Sequence, residues 1–94
     1  MSVEVVLPGF LADLAGGEKH VKVEVGDDRT LAAVFDLLAE GRPLLDRRIR
    51  DETGALRRFV NVYVDGEDVR FDQGVRTPVA DGAVVQVLPS VAGG

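Results

Sequence analysis

The chain has no cysteine and no tryptophan, a single histidine, a single methionine and only 5% aromatic residues. Each shortage removes a class of chemistry. Without Cys there is no disulfide, thiolate metal site, iron–sulfur cluster or nucleophilic thiol, and His20 alone cannot assemble a histidine zinc site. Sulfur chemistry, if the chain takes part in any, must use sulfur supplied by another molecule. No apolar run approaches the roughly 20 residues needed to cross a bilayer. The start, Met1-Ser2-Val3-Glu4, lacks the basic and apolar stretches of an export signal. The expected location is therefore the cytoplasm, with no membrane partner. Positive charge is also in deficit: 11 Lys and Arg against 16 Asp and Glu leave a net −5. A nucleic acid would be repelled at long range, so none is expected as a partner.

What is present suits one folded domain. Ninety-four residues, 46% hydrophobic and 29% charged, can enclose a single core. Val3, Val5 and Leu7 share one parity and predict a strand that stops at Pro8-Gly9. Phe10 to Leu14 allows a turn or two of helix before Gly16-Gly17. Residues His20 to Val25 alternate, with Val21, Val23 and Val25 on one face, and predict a second strand that forms a hairpin with the first. Thr30 then precedes Leu31, Val34, Phe35 and Leu38, an amphipathic helical stripe with an N-cap, closed by Gly41 and Pro43. Arg42 to Arg58 reads as irregular or weakly helical, with a possible turn around Leu44 to Ile49.

Phe59 to Val64 predicts a third strand, and Asp65-Gly66 a tight turn into a fourth over Glu67 to Phe71. Asp81-Gly82 introduces a last strand, Ala83 to Leu88, which Pro89 should end. The order β-β-α-β-β-β predicts an α+β, β-grasp (ubiquitin-like) domain over residues 1–89. One main helix would cross a mixed sheet of four to five strands, with the last strand parallel to the first at the centre.

Catalytic machinery is absent from this pattern. The acidic pairs Asp27-Asp28, Asp51-Glu52 and Glu67-Asp68 fall in predicted turns, where nothing would perturb their pKa values. His20 lies on a polar strand face with no recognisable nucleophile, and the glycines form no phosphate-cradling loop. No catalytic residue, metal ligand or bound cofactor is expected, and the chain is not expected to be an enzyme.

The remaining feature is Pro89-Ser90-Val91-Ala92-Gly93-Gly94. Ser90 to Gly94 reads as a flexible strap of small residues, which when extended reaches roughly 16–18 Å. Gly93 and Gly94 have no side chains to block a narrow channel, so the Gly94 carboxylate would arrive bare. A frayed terminus is the plain alternative.

Three stretches now carry a resemblance: Arg58-Phe59-Val60-Asn61-Val62-Tyr63-Val64, then Glu67-Asp68-Val69-Arg70-Phe71, and Leu88 to Gly94 with Ala80-Asp81-Gly82 upstream. The chain resembles the ubiquitin-like sulfur carriers of the MoaD and ThiS group, and within it the CysO type. The resemblance implies that Gly94 is the reacting residue and that Ser90, Val91, Ala92 and Gly93 thread it into a partner. It implies an E1-like adenylating enzyme of the MoeB or ThiF type, which would use ATP and Mg²⁺ to activate the Gly94 carboxylate for conversion to a thiocarboxylate. The acceptor would be a pyridoxal-phosphate cysteine synthase or another thio-product synthase, with a zinc metallopeptidase releasing the product. Ending at Gly94, the chain looks ready for activation without trimming. The same tail would also suit a protein modifier joined to target lysines, or a β-grasp binding module with an idle tail.

Alternation in the third strand, with its valines turned to the helix, leaves Phe59 and Tyr63 outward near Leu88. That patch either docks a partner or is half-covered by loops. Residues 42 to 58 hold six Arg and three acids, net +3, against −8 for the remainder. This polarity fits either electrostatic steering or a solvated loop, and assigns no site.

Overall fold

Alternating valines build the sheet. The structure, a computed structural model, describes residues 1–90. The strands are β1 (Ser2–Val6), β2 (His20–Glu24), β3 (Val60–Val64), β4 (Glu67–Asp68) and β5 (Val84–Pro89), in the order β2-β1-β5-β3-β4. β1 runs antiparallel to β2 and parallel to β5, and β5 is antiparallel to β3. The register aligns Val21, Val5, Val85 and Val64 across the sheet, so these side chains share one face. This is the ubiquitin-like β-grasp arrangement expected from the sequence, with the last strand central and parallel to the first.

The helix α2 (Leu31–Ala39) lies over the valine face. Its hydrophobic stripe, Leu31, Val34, Phe35 and Leu38, is fully buried. Transfer of a side chain such as Phe35 out of water contributes roughly 2–3 kcal/mol. Thr30 caps the helix as anticipated: its Oγ1 accepts from the Ala33 N–H at 3.2 Å and donates to Asp28 Oδ1 at 2.8 Å. The short helix α1 (Gly9–Ala12) continues as a 3₁₀ turn over Asp13–Ala15. At the β3–β4 turn both Asp65 (φ 50°) and Gly66 (φ 88°) are left-handed, which the Asp-Gly pair was expected to permit.

Three expectations are corrected or sharpened. Of the two readings of the segment after Gly41, irregular or weakly helical, the helical one holds: Pro43–Ile49 forms a further helix, α3, where a turn around Leu44 to Ile49 was expected. Pro43 opens this helix at its first turn, where a missing N–H costs nothing, rather than marking the end of α2. Leu45 and Ile49, four apart, are both fully buried. The fourth strand is only two residues long: Val69–Phe71 turns into a 3₁₀ helix. Asp68 Oδ1 accepts the Arg70 N–H at 2.9 Å, a local bond that competes with the ladder and lets Val69 enter the core.

Finally, Pro89 ends the last strand as its final paired residue rather than as the first residue beyond it. It pairs with Val60 inside β5. N–H groups alternate sides along a strand, and the Ser90 N–H points to β3, where it donates to the Phe59 carbonyl at 2.7 Å. The Pro89 nitrogen therefore faces β1, whose pairing with β5 stops at Val6 and Gln86, so no ladder bond is lost.

Arg50 fastens α3 to α2. It is 7% exposed, and its Nε donates to Asp46 Oδ1 at 2.8 Å while Nη2 reaches Asp36 Oδ1 at 2.9 Å. The guanidinium carbon lies 5.6 Å from the centre of the Phe35 ring. Burial acts to lower the Arg50 pKa, but the bonds and charges of Asp46 and Asp36 outweigh it and leave the group raised and firmly cationic.

Candidate functional site

The root of the C-terminal segment is built by β3 and β5 together. The expected strap was to begin at Ser90, but Ser90 is tied to the domain through the Phe59 carbonyl and is half-buried. Val91, Ala92, Gly93 and Gly94, to which the sequence assigned threading and reaction, lie outside the described residues. The anchor itself is braced by a residue to which the sequence assigned no role. Among the described residues the Arg70 guanidinium meets no carboxylate; its Nη2 donates to the Val60 carbonyl at 2.6 Å and the Arg57 carbonyl at 3.1 Å, while Nη1 donates to Asn61 Oδ1. These three acceptors bracket Phe59, so Arg70 sets the position of the carbonyl that holds Ser90. In the sequence it stands only within the predicted fourth strand and its resemblance stretch, which does not reveal targets nine to thirteen residues away.

The three residues expected to form a docking patch divide into two groups. Leu88, 36% exposed, pairs with Asn61 on the outer face of the sheet, and Tyr63 pairs with Gln86 beside it. Leu88 and Tyr63 are thus diagonal neighbours on that face. Phe59 precedes β3 and sits in a turn, so strand alternation does not govern its side chain. It is 48% exposed and lines grooves shared with α1 and α3 rather than with Tyr63 or Leu88.

His20 and Asp51 form no site with this root. His20 Nδ1 meets Glu4 Oε2 at 2.5 Å, both side chains being well exposed. Asp51 is held below the usual carboxylate range by the Thr53 hydroxyl and N–H, helped by the Ala55 N–H and the charge of Arg57. Among the described residues no cluster of His, Asp or Glu could hold a metal ion, and no helix is long and apolar enough to cross a membrane.

β5, central and parallel to β1, lies in the sheet under α2 and leads into Ser90 at its Phe59 anchor, the β-grasp arrangement. The profile of the ThiS family matches residues 5–94. The chain belongs to the ThiS family. Its sequence is similar to the sulfur carrier protein CysO of Mycobacterium tuberculosis, with 45% identity over 96 residues and 100% of both chains covered. The crystal structure of Mycobacterium tuberculosis CysO superposes with a TM-score of 0.83 at 42% identity, covering 95% of this chain and 99% of that one. A chain of the Amycolatopsis orientalis BexX/CysO complex gives a TM-score of 0.81 at 39% identity, covering 98% and 99%. Small archaeal modifier protein 3 of Haloferax volcanii is 39% identical over 79 residues, 83% of this chain and 84% of that protein. The ThiS-family assignment agrees with the resemblance that the β3, β4 and C-terminal stretches carried.

Proposed function

We propose that this ThiS-family chain is a sulfur carrier whose reactive group is the Gly94 carboxylate. The likeness to a sulfur carrier protein along the full length of both chains carries this reading. A carboxylate resists nucleophiles because negative charge flanks its carbonyl. An E1-like adenylating enzyme of the MoeB or ThiF type would remove that obstacle: a Gly94 oxygen attacks the α-phosphorus of Mg²⁺-bound ATP and pyrophosphate leaves. Hydrosulfide or its equivalent then adds to the acyl carbon and AMP departs, leaving a thiocarboxylate. That anionic sulfur is a soft nucleophile, delivered to an acceptor such as a pyridoxal-phosphate cysteine synthase without free sulfide being released. A zinc metallopeptidase would then free the product. ATP, Mg²⁺, pyridoxal phosphate and zinc all belong to the partner enzymes.

In this scheme the domain is a co-substrate. Ser90 to Gly93 thread the channel, and Tyr63 and Leu88 offer apolar contact on the sheet, with Phe59 beside the strap's anchor. Intact-mass spectrometry after incubation with the adenylating enzyme, ATP, Mg²⁺ and sulfide tests the reading. One oxygen should be replaced by sulfur in the wild-type chain and none after deletion of Gly93 and Gly94. The deletion should leave the fold intact, since every buried core residue described falls between Val3 and Val87. Sulfur incorporation that survives the deletion would refute the proposal.

The similarity to small archaeal modifier protein 3 favours a second reading, conjugation of the activated Gly94 to target lysines. Its mark would be a ladder of conjugates on a denaturing gel that disappears with the same deletion.

A further inference from the structure

The carrier reading does not use the basic face beside the strap anchor. On α3, Leu44, Arg47 and Arg48 occupy one side of the helix at i, i+3 and i+4, opposite the buried Leu45 and Ile49. Arg47 and Arg48 line a groove of about 390 Å³ with Arg57 and Phe59. The Arg57 guanidinium is held in place, its Nε donating to the Arg47 carbonyl at 2.5 Å. None of these three arginines is ion-paired to a carboxylate among the described residues. A second hollow adjoins the first through Arg48 and Phe59 and is lined mainly by Phe10 and Leu14, with Asp13 at its side. Phe10 is 52% exposed and Leu44 69% exposed.

We infer that this double groove receives an acidic, apolar-tipped segment of the enzyme that works on the chain's C-terminus. The inference rests on the carrier reading and adds a second point of recognition to it. Continuity with the strap supplies the location: the Phe59 carbonyl anchors Ser90, and four extended residues beyond it reach only about 13–14 Å. An enzyme that encloses Gly94 must therefore bring the rim of its active site within that distance of Ser90, and so close to Phe59. Charge supplies the chemistry. Three arginines lining one groove with Phe59, none in an ion pair among the described residues, suit contact with carboxylates, the bidentate fork being free on Arg47 and Arg48. The carboxylates belong on the Arg47–Arg57 side, because Asp13 would repel them from the other hollow, and an apolar side chain fits between Phe10 and Leu14. Outside residues 42 to 58 the chain sums to −8, so a long polyanion would meet repulsion wherever it left the groove, whereas a short acidic segment would not.

The test is ATP–pyrophosphate exchange by the E1-like adenylating enzyme of the same organism, with the full chain as substrate. R47E/R48E should raise KM for the carrier about tenfold, with R47Q/R48Q in between and the KM less sensitive to salt in both. R29E/R76E, the same change of charge outside the groove, should leave KM within about twofold of wild type. In parallel, a hexapeptide of alternating glutamate and leucine should shift the backbone amides of Arg47, Arg48, Arg57 and Phe59 in ¹⁵N-labelled wild-type chain. It should not shift them in R47E/R48E. A KM unchanged in R47E/R48E, an absence of peptide-induced shifts at these amides, or tighter binding there by a single-stranded RNA hexamer each overturns the inference. Exchange that fails with the wild-type chain removes the carrier reading itself, whereas exchange that proceeds equally with wild type and R47E/R48E removes the groove alone.

Discussion

Replacing Arg50 with Ala should be among the most damaging single changes away from the apolar core. Arg50 is the one positive charge that closes the α2–α3 junction, and its two carboxylate partners are unequal: the Asp46 side chain is 15% exposed and that of Asp36 71%. Truncation leaves the Asp46 carboxylate partly buried with no cation, and breaking a buried pair in this way costs about 3 kcal/mol. In a domain of this size each kcal/mol lowers Tm by about 4–8 °C, so R50A should melt roughly 12–24 °C below wild type. D36N removes only the solvated partner and should cost about 0.5 kcal/mol. If the damage comes from the uncompensated charge, the double variant R50M/D46L should return to within about 1 kcal/mol of wild type. Urea unfolding followed by circular dichroism measures all three. A cost below about 1 kcal/mol for R50A, or an equal cost for D36N, would refute the assignment of the penalty to Asp46. Because α3 also carries Arg47 and Arg48, R50A should loosen the groove beside Phe59 even where the sheet survives.

Further outcomes follow from the same geometry. V62D places a carboxylate at a position 1% exposed in β3 and should cost about 4 kcal/mol or more, leaving little folded protein by near-UV circular dichroism or NMR. Asp51 should titrate below its ordinary 3.8 in a carboxyl ¹³C shift experiment, since the Thr53 hydroxyl, the Thr53 and Ala55 N–H groups and Arg57 favour its anion. A carboxyl lowered on folding adds stability above its unfolded value and loses it as pH falls through the folded one. D51N should accordingly flatten the acid limb of the stability curve, and a midpoint at or above 3.8 would contradict the hydrogen-bond assignment. On the sheet face, L88D and Y63A should weaken adenylation through KM; L88D should shift Tm by no more than about 4 °C, because surface substitutions cost within about 0.5 kcal/mol, whereas Y63A removes a half-buried ring and should cost more. An unchanged KM in both would remove that face from the docking surface.

Local rules made much of the fold legible. Period-2 valines marked β1, β2, β3 and β5, Thr30 marked a helix start, and Asp65-Gly66 marked a turn with two left-handed residues. These signals depend on side chains and φ preferences within a few residues of each other, so sequence by itself determined the β-grasp arrangement and the outward placement of Tyr63 and Leu88. α3 showed only as a weak helical turn because a seven-residue helix with two buried positions carries too short a hydrophobic period to stand out, and most of its stability comes from packing. Contacts between distant segments decided the rest: the hold of Arg50 on Asp36, the bracing of the Phe59 anchor by Arg70, and the gathering of Arg47, Arg48 and Arg57 around Phe59. Such pairings are set by how the helices and the sheet come together, and only the assembled tertiary structure brings these residues within reach of one another.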